Sequence, residues 1–326
     1  MIAWLIALAT RLGGDSEFVI RLPASLLGTF GLWPVYCLGR GLFHPRVGFW
    51  SVAAVAATPG MAAMNLLMTI DAPFLCAWAC AVWCVWKLLS AERCSRRWLA
   101  GAIVATGLGL LSKQTMLAIF PLTGIWLLLQ PGERHKLARP STWLWWLGSL
   151  AFLIPVVAWN SRHGWLTVQH TGEHFQQRAV PLVQHAIWFL EFWGSQFGVV
   201  SPITCGLIVL LTVLGLWQWR DGDRRVHFLL CLGALPMAGV SVLSLMQRVQ
   251  PNWPAAFLLT SFVLLAAWGC GGVEIPSVAF LSRRWFPAGV AVGTLLVVGL
   301  YAVPFAVPRS LLGGGELDAR ARLRGW

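Results

Sequence analysis

Four short stretches of this chain carry residue types that could do chemistry beside an apolar scaffold. The first is Met64-Asn65-Leu66-Leu67-Met68-Thr69-Ile70-Asp71-Ala72-Pro73, which joins two apolar runs. Asp71 is the only acid between Glu17 and Glu92, and an ionised carboxylate beside hydrocarbon is costly unless it is solvated or paired. Pro73 suits the first turn of a helix, which would put Asp71 near the N-cap at the mouth of a span. Capping alone would account for an Asp here; its company argues for more. The second stretch, Leu111-Ser112-Lys113-Gln114-Thr115, wedges a cation between two apolar runs. Lys113 must either snorkel to the interface or meet an anion.

The third stretch is the longest loop, from Trp159-Asn160-Ser161-Arg162-His163-Gly164-Trp165 through His170, Glu173, His174 and Arg178. Amides and imidazoles that bond hydroxyls, set among indoles that stack on sugar faces, suit a bound carbohydrate through Asn160, His163 and Trp165. An ordinary polar loop with interfacial Trp would look the same. The fourth, Gln247-Arg248-Val249-Gln250-Pro251-Asn252-Trp253-Pro254, is a loop stiffened by two prolines that presents Arg248, Asn252 and Trp253; a helix-capping turn is its plainer reading. His170-Thr171-Gly172-Glu173-His174 fits the H-x-x-E-H pattern of inverted zinc proteases. That chemistry needs both His on one helix face, and Gly172 in a loop argues against it. No metal site is expected.

The elements that position these residues belong to a membrane protein. The chain is 58% hydrophobic and 11% charged, with a mean hydropathy of +0.70, outside the range of soluble globular domains. It holds 21 Trp against 2 Tyr, and indoles near the ends of apolar runs fit the aromatic belts of a bilayer. The net charge of +12 lies in short loops between apolar runs, so it reads as topology signal and contact with anionic lipid, not as a nucleic-acid footprint. Of the 8 Cys, all but Cys94 sit in or beside apolar runs, as small packing residues without a disulfide framework.

The fold class expected is all-α, a polytopic integral membrane helix bundle in one domain over 1–326. Ten runs fit spans: 22–39, 47–64, 71–89, 98–112, 114–130, 142–159, 202–219, 227–246, 254–270 and 286–306. Residues 1–12 are too short to cross, since a span takes about 20 residues, and suit an interfacial helix. The stretch 160–185 reads as a long periplasmic loop and 308–326 as a tail. Pro34, Pro59, Pro155 and Pro236 are expected to kink or end helices. Threading the spans puts Arg40, Arg46, Arg93, Arg96, Arg97, Arg134, Lys136, Arg139, Arg220, Arg224, Arg225, Arg283 and Arg284 on one side, which the positive-inside rule makes cytoplasmic. Asp71, Lys113, Arg248 and the 160–185 loop then share the far side. A further span is expected ahead of Met1, because residues 1–12 cannot cross yet must begin on that far side.

Thr69-Ile70-Asp71-Ala72-Pro73, Leu110-Leu111-Ser112-Lys113-Gln114-Thr115, Trp159–Trp165 and Gln250-Pro251-Asn252-Trp253-Pro254, in that order, resemble the bacterial branch of the protein O-mannosyltransferase and aminoarabinose (lipid A) transferase superfamily. These are GT-C membrane glycosyltransferases of the family 39 type. The resemblance implies a hexosyl- or pentosyltransferase in a bacterial inner membrane, with its active face periplasmic. The donor would be a polyprenyl-phosphate-linked sugar, transferred with inversion to lipid A, another envelope glycan or a protein. Asp71 matches the family's second acidic site, and Lys113, Arg248 and Asn252 match positions near the donor and acceptor cavity. No cofactor is firmly implied; a divalent metal would be compatible with the chemistry. The family's usual base and a Lys-Pro motif would lie ahead of Met1, so the expectation is a longer reading frame or a truncated, inactive copy. The rival reading is a non-catalytic lipid-linked-sugar binder or a flippase-like transporter, for which a polar path or inverted repeats would be expected.

Overall fold

The computed structural model describes residues 1–173, 180–217 and 223–306. Among these residues the chain is helical throughout, with no strand, in fifteen α-helices joined by short turns and 3-10 segments. The first six are α1 (Ile2–Gly13), α2 (Glu17–Leu42), α3 (Pro45–Ala56), α4 (Pro59–Leu66), α5 (Asp71–Ser90) and α6 (Arg96–Ser112). There follow α7 (Ile119–Leu129), α8 (Pro140–Leu150), α9 (Ile154–Arg162), α10 (Leu166–Glu173) and α11 (Leu182–Val200). The last four are α12 (Pro202–Trp217), α13 (Arg224–Met246), α14 (Ala255–Gly269) and α15 (Trp285–Ala306).

Local chemistry sets the helix ends. Ser16 Oγ accepts from Val19 N at the start of α2, and Asp223 accepts from Arg225 N at the start of α13. Proline opens α3, α4 and α8, where a missing N–H leaves nothing unsatisfied. Pro34 and Pro236 lie inside α2 and α13.

α5 and α14 form the centre. Both are apolar on all sides, which marks a helix enclosed by others, and α14 is buried along its length from Ala255 to Trp268. Trp78 of α5 is fully buried and packs edge-on against Phe257 of α14 at 5.2 Å. The cysteine face of α5 turns to α6, where a Cβ on Gly101 would come within 2.9 Å of Cys84 Sγ. All eight cysteines are free.

Among the described residues, five helices are long and apolar enough to cross a membrane, or up to seven spans if each bent pair counts as one. The expected spans 22–39, 71–89, 142–159, 227–246 and 286–306 fall on the five. The run 47–64 is broken between α3 and α4, which meet at 72°. The run 202–219 is one arm of the α11–α12 pair, bent by 116°. Buried Ser201 makes that corner at φ 90, a backbone region that disfavours side chains. The remaining three runs fall on α6, on Gln114–Leu129 and on α14, all shorter than 18 residues. At about 1.5 Å per residue, the 15 residues of α14 fall short of the roughly 30 Å hydrocarbon core.

The bundle has two unlike ends, joined by the 20 residues of α5. At its C-terminal end the basic segments knit together. Arg224 bonds Glu133 at 2.7 Å and Ser90 at 3.4 Å, Arg225 donates to the Leu42 carbonyl, and Arg139 to the Ala91 carbonyl. Asp223 is half-buried; burial opposes its ionisation, but hydrogen bonds and charge from Arg225 outweigh this and hold its carboxyl below the usual range. Asp71 lies at the opposite end. There α11 runs across the bundle, tied along its length to one stretch of chain: His185 to the Leu245 carbonyl, Glu191 to Arg248, and Gln196 to the Pro251 carbonyl.

Candidate active site around Asp71

Asp71 is the first residue of α5 and is 5% exposed. Thr69 fixes the entry to the helix, its hydroxyl oxygen accepting from Asp71 N at 3.3 Å and its proton reaching Asp71 Oδ2 at 3.4 Å. α6 stops at Ser112, and Lys113 is extended (φ -151, ψ 133) before the 3-10 turn Gln114–Ala118. This single extended residue leaves the helix axis, and its ammonium donates to Asp71 Oδ1 at 2.8 Å. Lys113 Nζ also stands 5.6 Å from the centre of the Phe74 ring.

The third member comes from the turn between α13 and α14. Trp253 N bonds the Gln250 carbonyl and Ala255 N the Asn252 carbonyl, a tight turn that points Asn252 inward. Asn252 Nδ2 donates to Asp71 Oδ2 at 2.8 Å. Asp71 thus accepts from Lys113, Asn252 and Thr69, with side-chain exposures of 7% for Asp71 and 14% for Lys113. A lysine has three N–H donors, so Lys113 keeps capacity for a second anion while it holds the first.

The other residues singled out in the sequence stand differently. Arg248 is 76% exposed at its side chain and pairs with Glu191 at 3.2 Å, and Trp253 is half-buried. Asn160 is buried and engaged locally, donating to the Val156 carbonyl at 2.9 Å and accepting from Thr167 N at 3.1 Å. His163 stacks on Trp159 at 4.2 Å and bonds its carbonyl. Trp165, exposed, turns the chain at φ 60. Asn160, His163 and Trp165 therefore shape the α9–α10 turn. His174 lies outside the described residues, and no group of three His, Cys, Asp or Glu among the described residues is placed to hold a metal.

One neighbour of the site was not singled out in the sequence. Gln196 of α11 is 1% exposed, and its bond to the Pro251 carbonyl at 3.1 Å steadies the turn that presents Asn252. It also lines an apolar cavity of about 380 Å³ among α11, α12, α13 and α14. The available clue was an amide deep in the largely apolar run 182–200, well past Gln184 at its start.

Residues 1–159 match the family model described as dolichyl-phosphate-mannose-protein mannosyltransferase. The fold resembles ArnT from Cupriavidus metallidurans bound to undecaprenyl phosphate, with a TM-score of 0.63 and 16% identity over 95% of this chain and 55% of that one. It also resembles the apo form of that ArnT, with a TM-score of 0.58 and 17% identity over 93% of this chain and 53% of that one. The chain shares the fold of this ArnT. An Archaeoglobus fulgidus oligosaccharyltransferase tethered to an acceptor peptide shares the fold at a TM-score of 0.53 and 13% identity, over 91% of this chain and 46% of that one. No curated protein matches the sequence. The chain spans about half the length of these solved structures. Asp71 and Lys113 fall inside the matched residues 1–159, and Arg248 and Asn252 beyond them.

Proposed function

We propose that this protein transfers a sugar from a polyprenyl-phosphate-linked donor to a cell-envelope acceptor, on the periplasmic face of a bacterial inner membrane. The acceptor is lipid A, another glycan or a protein. The observation that carries the reading is the buried Asp71–Lys113–Asn252 cluster at one end of an apolar bundle. It places an ammonium at the membrane boundary with donor capacity to spare, where a phosphate leaving group would need it. The ArnT that shares this fold binds undecaprenyl phosphate, and the apolar cavity beside Gln196 suits the hydrocarbon of such a donor.

The chemistry is a single inverting displacement. An acceptor oxygen forms its bond to the anomeric carbon while the bond from that carbon to the phosphate oxygen breaks, and the electron pair leaves with the phosphate. Lys113 stabilises the charge that develops there, as a preorganised cation in a poorly hydrated site does. Asp71 holds Lys113 and Asn252 in position. Its longest contact, from Thr69 at 3.4 Å, is the one an acceptor hydroxyl would replace, passing its proton to Oδ2.

Lys113→Ala is therefore expected to weaken binding of a polyprenyl-phosphate sugar to the detergent-solubilised protein by about tenfold or more. Arg248→Ala is expected to do less, because an exposed pair is well screened. Unchanged affinity in both variants would remove the donor phosphate from this site. Binding without any turnover in the intact protein would instead favour a lipid-sugar carrier.

Orientation is checked by labelling. Cys94 is exposed between α5 and α6 at the basic end, and Ser161 is exposed near the α9–α10 turn. A membrane-impermeant maleimide added to intact cells should modify Ser161→Cys in a Cys94→Ser background. It should leave Cys94 untouched until the membrane is opened. Labelling of both from one side would refute the assignment of faces.

A further inference from the structure

A polar cavity lies at the Asp71 end of the bundle, away from the cluster described above. It has a volume of about 230 Å³ between α2, α4 and α15, and Ser25, Thr29, Asn65 and Tyr301 supply its polar lining. Its position follows from the helices. Ser25 is in the third turn of α2, counting from Glu17; Asn65 is near the end of α4; and Tyr301 is near the end of α15. Thr29 and Tyr301 are exposed, so the cavity opens sideways between α2 and α15, two of the helices long and apolar enough to cross a membrane.

The cavity is built by close approach. At Gly28 a Cβ would lie 2.3 Å from Asn65 Cγ, so only a glycine lets the Asn65 amide settle against α2. The hydroxyl protons are all directed at the backbone: Ser25 donates to the Asn65 carbonyl at 3.2 Å, Thr29 to the Ser25 carbonyl at 2.8 Å, and Tyr301 to the Ala62 carbonyl at 3.3 Å. What these three groups still offer is lone pairs. Asn65 Oδ1 is buried and unpaired. An amide oxygen left unsatisfied in apolar surroundings is costly and calls for a donor. No charged side chain lines the cavity.

We propose that this cavity binds the neutral, hydroxyl-bearing head of a membrane lipid. Hydroxyls both donate and accept, so they answer the lone pairs of Ser25, Thr29 and Tyr301 and the open amide oxygen of Asn65. An anionic head would enter without a cation to meet it. The volume admits one small head group, below the roughly 300–1,000 Å³ of drug-sized pockets. A glycolipid sugar and the glycerol of a neutral diacyl lipid share this chemistry. The site is read by binding alone and stands or falls separately from the transfer reaction.

The test is retention of lipid by the purified protein in native mass spectrometry, with three lipids of identical chains: monoglucosyl diacylglycerol, diacylglycerol and phosphatidic acid. A neutral lipid should be retained about tenfold over phosphatidic acid. Preference for the glucosyl lipid assigns the sugar, and equal retention of both neutral lipids assigns the glycerol. Asn65→Leu should abolish the preference without lowering the unfolding temperature, because it deletes an amide whose oxygen lacks a partner. Thr29→Val, isosteric and at an exposed position, should reduce the preference with the fold untouched. Neutral lipids retained no better than phosphatidic acid, or a preference that survives both substitutions, would overturn the proposal.

Discussion

Asp71→Asn is expected to lower sugar transfer by the intact protein at least about a hundredfold, within the range for groups that act on protons or orient those that do. The substitution keeps size and shape, and Asn serves near a helix N-terminus about as well as Asp. What it changes is the pattern of acceptors. Asp71 presents one oxygen to the Lys113 ammonium and the other to the Asn252 amide, both at 2.8 Å. Asn has only one oxygen, so its own NH2 must face a donor on one side whichever way it is turned. The cluster loses its geometry while α5 stays held by Phe74 and Trp78. Transfer is measured with a labelled polyprenyl-phosphate donor in membranes, alongside thermal unfolding of the purified variant. Replacing both Asp71 and Lys113 by Leu separates structure from chemistry, because an apolar pair of similar volume often matches a buried ion pair in stability. That double variant should unfold near the wild-type temperature and still fail to transfer. A well-folded Asp71→Asn protein with near-normal transfer would leave Asp71 as a helix-initiating residue only.

The largest effect on stability is expected at the opposite end, from Glu133→Gln. Glu133 has a side-chain exposure of 9% and faces Lys136, itself 7% exposed. It also accepts from Arg224 Nη1 at 2.7 Å. Neutralising Glu133 strands a buried ammonium, a change that costs about 3–5 kcal/mol when one partner of a buried pair is removed. Arg224 contributes less to that loss, since its side chain is 42% exposed and also rests on the Trp86 ring at 5.2 Å. The unfolding temperature in detergent should fall markedly, and adding Lys136→Met should recover most of the loss. Donor affinity per folded molecule should stay unchanged, because this cluster ties α7, α13 and the end of α5 together at the end away from Asp71. An unfolding temperature indifferent to Glu133→Gln would show that water already reaches the pair.

The sequence by itself determined the class of molecule and the places where polar chemistry is tolerated. Apolar runs bounded by arginine-rich turns report helices that need lipid, because hydropathy is a property of neighbours in the chain and can be summed locally. The conspicuous polar residues between those runs, Asp71, Lys113 and Asn252, were visible for the same reason. Their pairing was not, since the bonds join residues 42 and 181 positions apart, and only the packing of α5, α6 and α14 sets such distances. Tertiary structure likewise sent Asn160 to its own turn and Arg248 to Glu191. α11 escaped the sequence reading because its apolar residues follow a polar loop without a break, and because Glu191 and Gln196 interrupt them at positions that face the 248–251 turn. The 72° and 116° bends are also tertiary facts. A proline marks where a helix can break, but the angle is chosen by what packs into the gap, as Val199 does against Gly60 and α15 against Ala57. Local sums of hydropathy and charge therefore fix which segments meet lipid and which ends share a face. Which polar groups meet one another depends on distances across the bundle, and those exist only once the helices have packed.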